Sequence, residues 1–156
     1  HQQVQAAILG GAQLQCGGQI PPGIPQGFYY APTVLSGTKE EMEVMREETF
    51  GPVLPIVSVE SFDQALLLAN QSRYGLGATL FTQDARIVKR YMEEIEAGNV
   101  WVNDPLIDTL AGPFGGMKRS GIGRELGSEG LEEFLETKHV HWEIEGGPKS
   151  WWFPWD

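Results

Sequence analysis

The alternation of strand-like and helix-like segments between residues 53 and 102 is the feature that most constrains how this chain can fold. Apolar runs over 53–59, 78–82 and 100–102 predict strands. Between them, a capping box that begins at Ser61 and apolar residues at helical spacing within 84–95 predict two amphipathic helices. Strands that alternate with helices through short links pair in parallel through right-handed crossovers. The sequence therefore predicts an α/β fold built on a parallel sheet.

Shorter elements are predicted on both sides of this alternation. The first residues have the spacing of a helix that begins upstream of His1. Thr38, with Glu41 three residues later, predicts the start of a short helix over 39–45. Further strands are predicted over 14–16, 28–34 and 137–144.

The charge and apolar content of the chain exclude several classes of protein. The 11 Lys and Arg residues against 21 Asp and Glu residues give a net charge of -10, spread along the chain. Such a chain repels a phosphate backbone, so no nucleic-acid partner is expected. No apolar run is long enough to cross a bilayer and no signal segment opens the chain, so we expect a cytoplasmic protein without a membrane partner. The single cysteine, Cys16, excludes an internal disulfide framework.

The segment 47–52, Glu-Glu-Thr-Phe-Gly-Pro, is the strongest candidate for a functional turn. It places adjacent carboxylates and an aromatic ring immediately before the strand predicted over 53–59. Gly51 allows the backbone to bend, and Pro52 biases Gly51 away from helical geometry. Ligands of α/β proteins bind where strands end. The simpler interpretation is an acidic helix end followed by a loop, with Phe50 as an ordinary core anchor.

A glycine-rich segment, 112–127, follows the strand predicted over 100–102. So many glycines indicate a backbone that approaches another group closely. Residues 121–127 come close to a dinucleotide-binding fingerprint, but the last glycine is one position late and no convincing strand precedes the segment. We therefore reject a phosphate-binding loop here.

Five motifs, in their order and spacing, together resemble the NAD(P)-dependent aldehyde dehydrogenase superfamily. They are the segments 47–52, 74–76 (Tyr-Gly-Leu), 98–103 (Gly-Asn-Val-Trp-Val-Asn), 113–116 (Pro-Phe-Gly-Gly) and 121–127 (Gly-Ile-Gly-Arg-Glu-Leu-Gly). The resemblance covers the chain from Cys16 to about His141 and is to the carboxyl-terminal third of the family only. It implies oxidation of an aldehyde to a carboxylic acid with NAD or NADP, by cysteine attack, hydride transfer and hydrolysis of a thioester by water that a glutamate activates.

The resemblance also implies that the reacting groups lie elsewhere. The nucleotide-binding domain, the nucleophilic cysteine and the general-base glutamate are expected upstream of His1. Cys16 is not interpreted as the nucleophile, because its neighbours Gln15 and Gly17 do not reproduce the family's motif. Its position corresponds to a short strand after the active site, where cysteine is expected to be a small buried apolar residue. The chain is therefore expected to be inactive by itself.

Four side chains receive roles from the resemblance. Glu48 corresponds to a carboxylate that accepts hydrogen bonds from the hydroxyls of the nicotinamide ribose, and Phe50 to a ring beside the nicotinamide end of the cofactor. Glu125 corresponds to a glutamate that relays protons behind the active-site base, a role that needs a partly buried carboxylate. The alternative for Glu125 is a carboxylate that satisfies backbone donors at a helix start. Phe114 corresponds to an aromatic wall of the aldehyde tunnel, or packs in the core.

The loop 104–109 corresponds to the variable segment that lines the substrate mouth. Its carboxylates, Asp104 and Asp108, would favour a cationic or amino-bearing aldehyde, whereas two exposed aspartates in a turn are the simpler interpretation. His139 and His141 share one face of the strand predicted over 137–144. No third ligand is nearby in the sequence, so no metal site is predicted.

The resemblance divides the chain into a partial catalytic domain over 1–136 and an oligomerisation strand with an aromatic tail over 137–156. In the family the last strand joins a sheet shared with a neighbouring subunit, which implies a homodimer or homotetramer. Exposed aromatics at 151–155 would reduce solubility, so we expect them to cover part of this contact. The alternative function is a non-catalytic nucleotide-binding or oligomerisation module.

Overall fold

The computed structural model describes residues 1–24, 26–104 and 107–149. The elements in chain order are α1 (Gln2–Leu9), β1 (Gln13–Cys16), β2 (Thr33–Ser36), α2 (Glu43–Arg46), β3 (Val53–Ile56), α3 (Phe62–Gln71), β4 (Tyr74–Gly75), β5 (Gly77–Leu80), α4 (Ala85–Glu94), β6 (Asn99–Val102), β7 (Met117–Lys118) and α5 (Gly127–Glu132). Within the described residues the strands form three small sheets, with the orders β1-β2-β3, β4-β7 and β5-β6. The α/β class predicted from the sequence is confirmed. None of the helices described is long and apolar enough to cross a membrane.

The main core lies beside the three-stranded sheet. β2 pairs antiparallel with β1 and parallel with β3. Leu35 on β2 and Val4 on α1 are each 0 % exposed, and Met42 and Val44 pack with them in one cluster. Full burial of an aliphatic side chain of this size contributes about 1.5–3 kcal/mol. The cluster therefore holds α1 and α2 against the sheet from which the turn 47–52 projects.

The segment from β5 to β6 forms a parallel pair with α4 as its connection, as the sequence predicts. Asp84 caps this helix, because its carboxylate accepts a backbone N–H at 2.8 Å. Arg90 of α4 lies 2.8 Å from the carboxylate of Asp63 on α3 and 5.2 Å from the centre of the Phe62 ring. Its hydrogen bond to Glu94 lowers the pKa of that carboxyl. These contacts fix the two helices relative to each other.

The parallel pairing predicted between β3 and the next strand is wrong. β3 pairs with β2, and β5 pairs with β6. The helix predicted after β3 is present, and the Ser61 hydroxyl caps it by accepting the backbone N–H of Gln64 at 3.2 Å. A local pattern predicts that a strand exists, but its partner is set by the apolar surfaces that meet in the folded chain. Sequence order alone therefore gave the wrong neighbour.

Two of the shorter predicted elements differ from the structure. The strand predicted over 28–34 begins only at Thr33, and the Phe28 side chain is fully exposed. The helix predicted over 39–45 is replaced by the short α2, and Thr38 does not cap it. Instead the buried Thr38 hydroxyl donates to a carbonyl oxygen of β3 at 3.0 Å. A contact with the sheet thus replaces the local capping contact.

The strand predicted over 137–144 is not formed by the described chain. Its alternate residues Val140, Trp142 and Ile144 are 71 %, 82 % and 85 % exposed. A strand is held by hydrogen bonds to a neighbouring strand, and no described strand of the chain pairs with this segment. The packing predicted for the aromatic tail at 151–155 concerns residues outside the described ranges.

Candidate functional site

The turn 47–52 connects α2 to β3 and opens onto a cleft. Glu47 forms an ion pair with Arg73, just before β4. The exposed residue Glu48 lines a cleft of about 400 Å³, which is also lined by β4, the start of β5 and residues 119–120. Glu48 is exposed, so its carboxylate is accessible to hydrogen-bond donors of a ligand; Arg46 and Arg119 line the same cleft. We call this space the Glu48 cleft.

Phe50, in the same turn, has an unusual backbone conformation. Its φ is +45° and its side chain is 94 % exposed. The left-handed region costs a residue with a Cβ about 1–2 kcal/mol, so neighbouring contacts must hold the turn in place. One such contact joins the backbone N–H of Thr33 on β2 to the carbonyl oxygen of Pro52 at 2.8 Å. The interpretation of Phe50 as a core anchor is therefore wrong, because its ring faces solvent in this chain.

Phe114 and Glu125 are brought together by their backbones. The N–H of Phe114 donates to the carbonyl oxygen of Glu125 at 2.6 Å, and the reverse bond measures 2.7 Å. Both residues line a second cleft of about 320 Å³, which we call the Phe114 cleft. Phe114 is half-buried and Glu125 is exposed. The partial burial expected for a proton-relaying carboxylate is thus not present in this chain. The alternative role at a helix start is not seen either, because the residue that precedes α5 is Leu126 and no side chain caps the helix.

The glycine at position 98 is explained by the close approach of its backbone to the segment 113–116. A Cβ on Gly98, immediately before β6, would lie 1.9 Å from the carbonyl oxygen of Gly115. The Asn99 side-chain amide donates to that oxygen at 2.9 Å and to the carbonyl oxygen of Leu76 at 2.6 Å. The amide thus ties β6 to two of the five motif segments.

Ser120 and Lys118 are structural residues of the site that the sequence did not single out. The Ser120 hydroxyl accepts the backbone N–H of Gly75 at 3.0 Å, and Ser120 lines both the Glu48 cleft and the Phe114 cleft. The Lys118 ammonium donates to the carbonyl oxygens of Asn70 and Ser72 at 2.6 and 3.0 Å, at the end of α3. Lysine near a helix C-terminus satisfies free carbonyls there. In the sequence, the one signal for Lys118 and Ser120 is that they lie in the glycine-rich segment 112–127.

A third cleft, of about 200 Å³, is lined by one of the two aspartates of the loop after β6. Asp108 lines it together with Phe114, and we call it the Asp108 cleft. Asp104 is not among the residues that line this cleft, and both aspartates are exposed. The indole N–H of Trp101 donates to the carbonyl oxygen of Ile107 at 2.8 Å, next to Asp108. The structure therefore distinguishes two carboxylates that the sequence treated as equivalent.

Cys16 lies away from these clefts. It is on β1, as predicted, but the prediction that it is buried is wrong, because every residue of this strand is exposed. In the part of the chain that the structure describes, β1 is the edge strand of its sheet, so its residues have a neighbouring strand on one side only. The Cys16 sulfur contacts the carbonyl oxygen of Pro32 at 3.7 Å. Over the ranges described, no group of three or more His, Cys, Asp or Glu side chains is placed to hold a metal ion.

The chain matches the model of the aldehyde dehydrogenase family over residues 1–140. It is 41 % identical over 149 residues to the chloroplastic betaine aldehyde dehydrogenase of Beta vulgaris, a match that covers 96 % of this chain and 30 % of that protein. Among solved structures it is similar to an NAD-dependent aldehyde dehydrogenase from Sinorhizobium meliloti, with a TM-score of 0.86 and 39 % identity over 97 % of this chain and 30 % of that one. It is also similar to a mutant aldehyde dehydrogenase C from Pseudomonas syringae in complex with NAD+ and octanal, with a TM-score of 0.82 and 45 % identity over 88 % of this chain and 28 % of that one. The chain spans about 30 % of the length of the curated relatives it matches.

Proposed function

Because this chain belongs to the aldehyde dehydrogenase family, we propose that it is the carboxyl-terminal third of an enzyme that oxidises an aldehyde to a carboxylic acid with NAD+ or NADP+. The observation that carries the proposal is how the five motif segments meet. They are separated along the chain, yet they line three clefts that share residues: Leu76 and Ser120 between the first two, and Phe114 between the last two. Convergence of distant segments on adjoining clefts is typical of a ligand site.

Glu48 and Phe50 are the residues that would hold the nicotinamide end of the cofactor. An ionised carboxylate only accepts hydrogen bonds, and the accessible Glu48 carboxylate at a cleft wall suits a pair of sugar hydroxyls. The 94 % exposed ring of Phe50 is not among the residues that line the Glu48 cleft, but it lies two positions after Glu48 in the same turn and offers an apolar face for a flat heteroaromatic group. The residues present thus fit a nicotinamide nucleoside. NAD(P)+, when bound, supplies the acceptor of a hydride.

Phe114 and Glu125 belong to the aldehyde side of the proposed site. The half-buried ring of Phe114 forms a wall of both the Phe114 cleft and the Asp108 cleft. Glu125, fixed to Phe114 through the paired backbones, places a carboxylate at the same wall, where it can take up and return a proton. Cys16 lines neither cleft. The reacting cysteine is therefore proposed to lie outside this chain, which would be inactive alone.

The proposed substrate is a cationic or amino-bearing aldehyde. Asp108 supplies a carboxylate in the Asp108 cleft beside Phe114, and the relative from Beta vulgaris is named for betaine aldehyde, which carries a positive charge. A negative side chain at the mouth of a site favours encounter with a cation. A higher kcat/KM for neutral aldehydes than for amino-aldehydes of equal length would contradict this part of the proposal.

The segment 137–144 is proposed to join the sheet of a neighbouring subunit in a homodimer or homotetramer. Its apolar residues Val140, Trp142 and Ile144 alternate along the chain and are exposed, as expected for a strand that lacks its partner. A strictly monomeric intact protein in sedimentation experiments would contradict this assembly. A cytoplasmic location is also part of the proposal, and fractionation of the native host tests it.

The experiment that tests the proposed function is a spectrophotometric assay of NADH or NADPH formation by the intact protein with a series of aldehydes. Glu48→Gln is expected to raise KM for the cofactor about tenfold or more, because a hydrogen bond to a charged acceptor contributes about 1.5–3 kcal/mol. Glu93→Gln, on α4, is the control for loss of one negative charge. No aldehyde-dependent reduction would contradict the proposal, and cofactor binding without turnover would favour the non-catalytic module.

A further inference from the structure

The indole of Trp101 connects β6 to the loop that follows it. Trp101 is half-buried, and its Nε1–H donates to the carbonyl oxygen of Ile107 at 2.8 Å. The six-membered ring lies against Gly77 of β5, where an added Cβ would be 2.5 Å from Cζ3 of the indole. The indole is therefore held by one hydrogen bond and one packing contact. A shift of the loop relative to β6 would break the hydrogen bond to Ile107.

The same loop is fixed again beyond Asp108. The carbonyl oxygen of Leu110 accepts the backbone N–H of Gly127, at the start of α5, at 3.1 Å. Asp108 thus lies between two anchored positions, Ile107 and Leu110. Asp108 lines the Asp108 cleft together with Phe114, and Trp101 itself also lines this cleft. Because the loop backbone is fixed on both sides of Asp108, less conformational freedom remains to be lost when the Asp108 carboxylate contacts a ligand.

We propose that Trp101 is a positioning residue that holds the loop so that Asp108, rather than Asp104, sets the preference for cationic aldehydes. Asp104 precedes Ile107, the first anchored position of the loop, and is not among the residues that line the Asp108 cleft. The inference deepens the proposed function and rests on it for the identity of the substrate. The contact between the indole and the loop is independent of the proposed function.

The test compares the intact protein with four variants: Trp101→Phe, Gly77→Ala, Asp108→Asn and Asp104→Asn. The measured quantity is the ratio of kcat/KM for an amino-aldehyde to kcat/KM for a neutral aldehyde of equal length. Asp108→Asn and Trp101→Phe are each expected to lower this ratio about two- to fivefold, the range of a solvent-exposed ion pair. Gly77→Ala keeps the indole but displaces it, so it is expected to lower the ratio as well. Asp104→Asn is expected to change the ratio less than Asp108→Asn.

A double variant separates positioning from a general loss of structure. If Trp101 acts through Asp108, Trp101→Phe lowers the ratio no further in the Asp108→Asn background, and KM for the cofactor stays unchanged. The proposal is overturned if Trp101→Phe lowers kcat/KM for both aldehydes and cofactor affinity together. It is also overturned if Trp101→Phe still lowers the ratio in the Asp108→Asn background, or if Asp104→Asn lowers the ratio as much as Asp108→Asn does.

Failure of the proposed function would be seen separately, as absence of aldehyde oxidation by the intact protein. The indole contact then has its own readout. In ¹⁵N-labelled protein, the indole N–H signal that disappears in Trp101→Phe is expected to exchange slowly with solvent, since it is hydrogen-bonded to Ile107. Rapid exchange of that signal overturns the inference whatever the activity.

Discussion

Replacement of Gly98 by alanine tests the close backbone contact on which the arrangement of the clefts depends. The added Cβ would lie 1.9 Å from the Gly115 carbonyl oxygen and 2.9 Å from its carbon, whereas Cβ atoms essentially never lie closer than 3.0 Å to another atom. The obstacle is backbone, so no side-chain rotation relieves it. Gly98 does not have a positive φ, so the effect reports the contact alone. The strand β6 and the segment 113–116 must therefore separate by about 1 Å.

The cost follows from the contacts that this separation breaks. Overpacking in a tight site costs about 1–3 kcal/mol. The hydrogen bond from the Asn99 side-chain amide to the Gly115 carbonyl oxygen, now 2.9 Å, would be stretched, which adds about 1 kcal/mol. The free energy of unfolding is expected to fall by about 3 kcal/mol. Because Gly115 follows Phe114, kcat/KM for the aldehyde is also expected to fall more than cofactor affinity.

Urea unfolding of the intact protein, followed by tryptophan fluorescence, measures the loss of stability. With a slope of about 1–3 kcal/mol/M, the midpoint of Gly98→Ala is expected about 1–3 M below that of the wild type. Gly51→Ala is the matched control, because its added Cβ meets only Thr49, at an ordinary 3.8 Å, and is expected to change stability by less than about 0.5 kcal/mol. Equal midpoints for Gly98→Ala and the wild type would refute the contact.

Three further changes test other parts of the structure. Phe50→Gly is expected to raise the free energy of unfolding by about 0.5–1 kcal/mol, because it releases left-handed strain that exceeds the entropic cost of glycine; a urea midpoint at or below that of the wild type would contradict this. Arg90→Met is expected to raise the pKa of Glu94 toward its ordinary value, measured by NMR titration, because Arg90 now lowers it. A lowered carboxyl pKa gives stability that is present above the ordinary pKa and is lost as pH falls through the lowered pKa. The variant is therefore expected to lose less stability on acidification than the wild type. An unchanged titration of Glu94 would exclude the ion pair with Arg90. Trp142→Asp is expected to weaken self-association in sedimentation equilibrium, since this 82 % exposed ring lies in the proposed subunit contact; unchanged association would place the contact elsewhere.

The elements with strong local signals were predictable from the sequence. Asp84 and Ser61 accept backbone N–H groups within their own helices, so their contacts are short-range and visible in the order of residues. The parallel pairing of β5 and β6 was predictable for the same reason, because one helix of suitable length connects them.

Long-range competition explains the errors. Thr38 has the residue type of a helix cap, yet its hydroxyl is buried against β3, 18 positions along the chain. The partner of β3 and the exposure of Cys16 likewise depend on where other strands lie. The segment 137–144 has the pattern of a strand, but pattern cannot supply a neighbouring strand. These features are set by tertiary contacts that local propensity does not contain.

The candidate site was predicted unevenly for a similar reason. Motif residues such as Glu48 and Phe114 could be chosen because the resemblance attaches roles to residue types at fixed spacing. The distinction between Asp104 and Asp108 could not, because it arises from the indole of Trp101 and the cleft beside Phe114. The roles of the site residues in catalysis and cofactor binding stay predictions.

The rate of aldehyde-dependent NAD(P)H formation, compared between the intact protein, its Cys16→Ser variant and the isolated chain 1–156, tests the central claim most directly. The intact protein and the Cys16→Ser variant are expected to turn over at the same rate, because Cys16 lies on the edge strand β1 and lines none of the three clefts. The isolated chain is expected to show no turnover. Turnover by the isolated chain that is abolished by alkylation of Cys16 would contradict the claim that the reacting sulfur lies outside this chain.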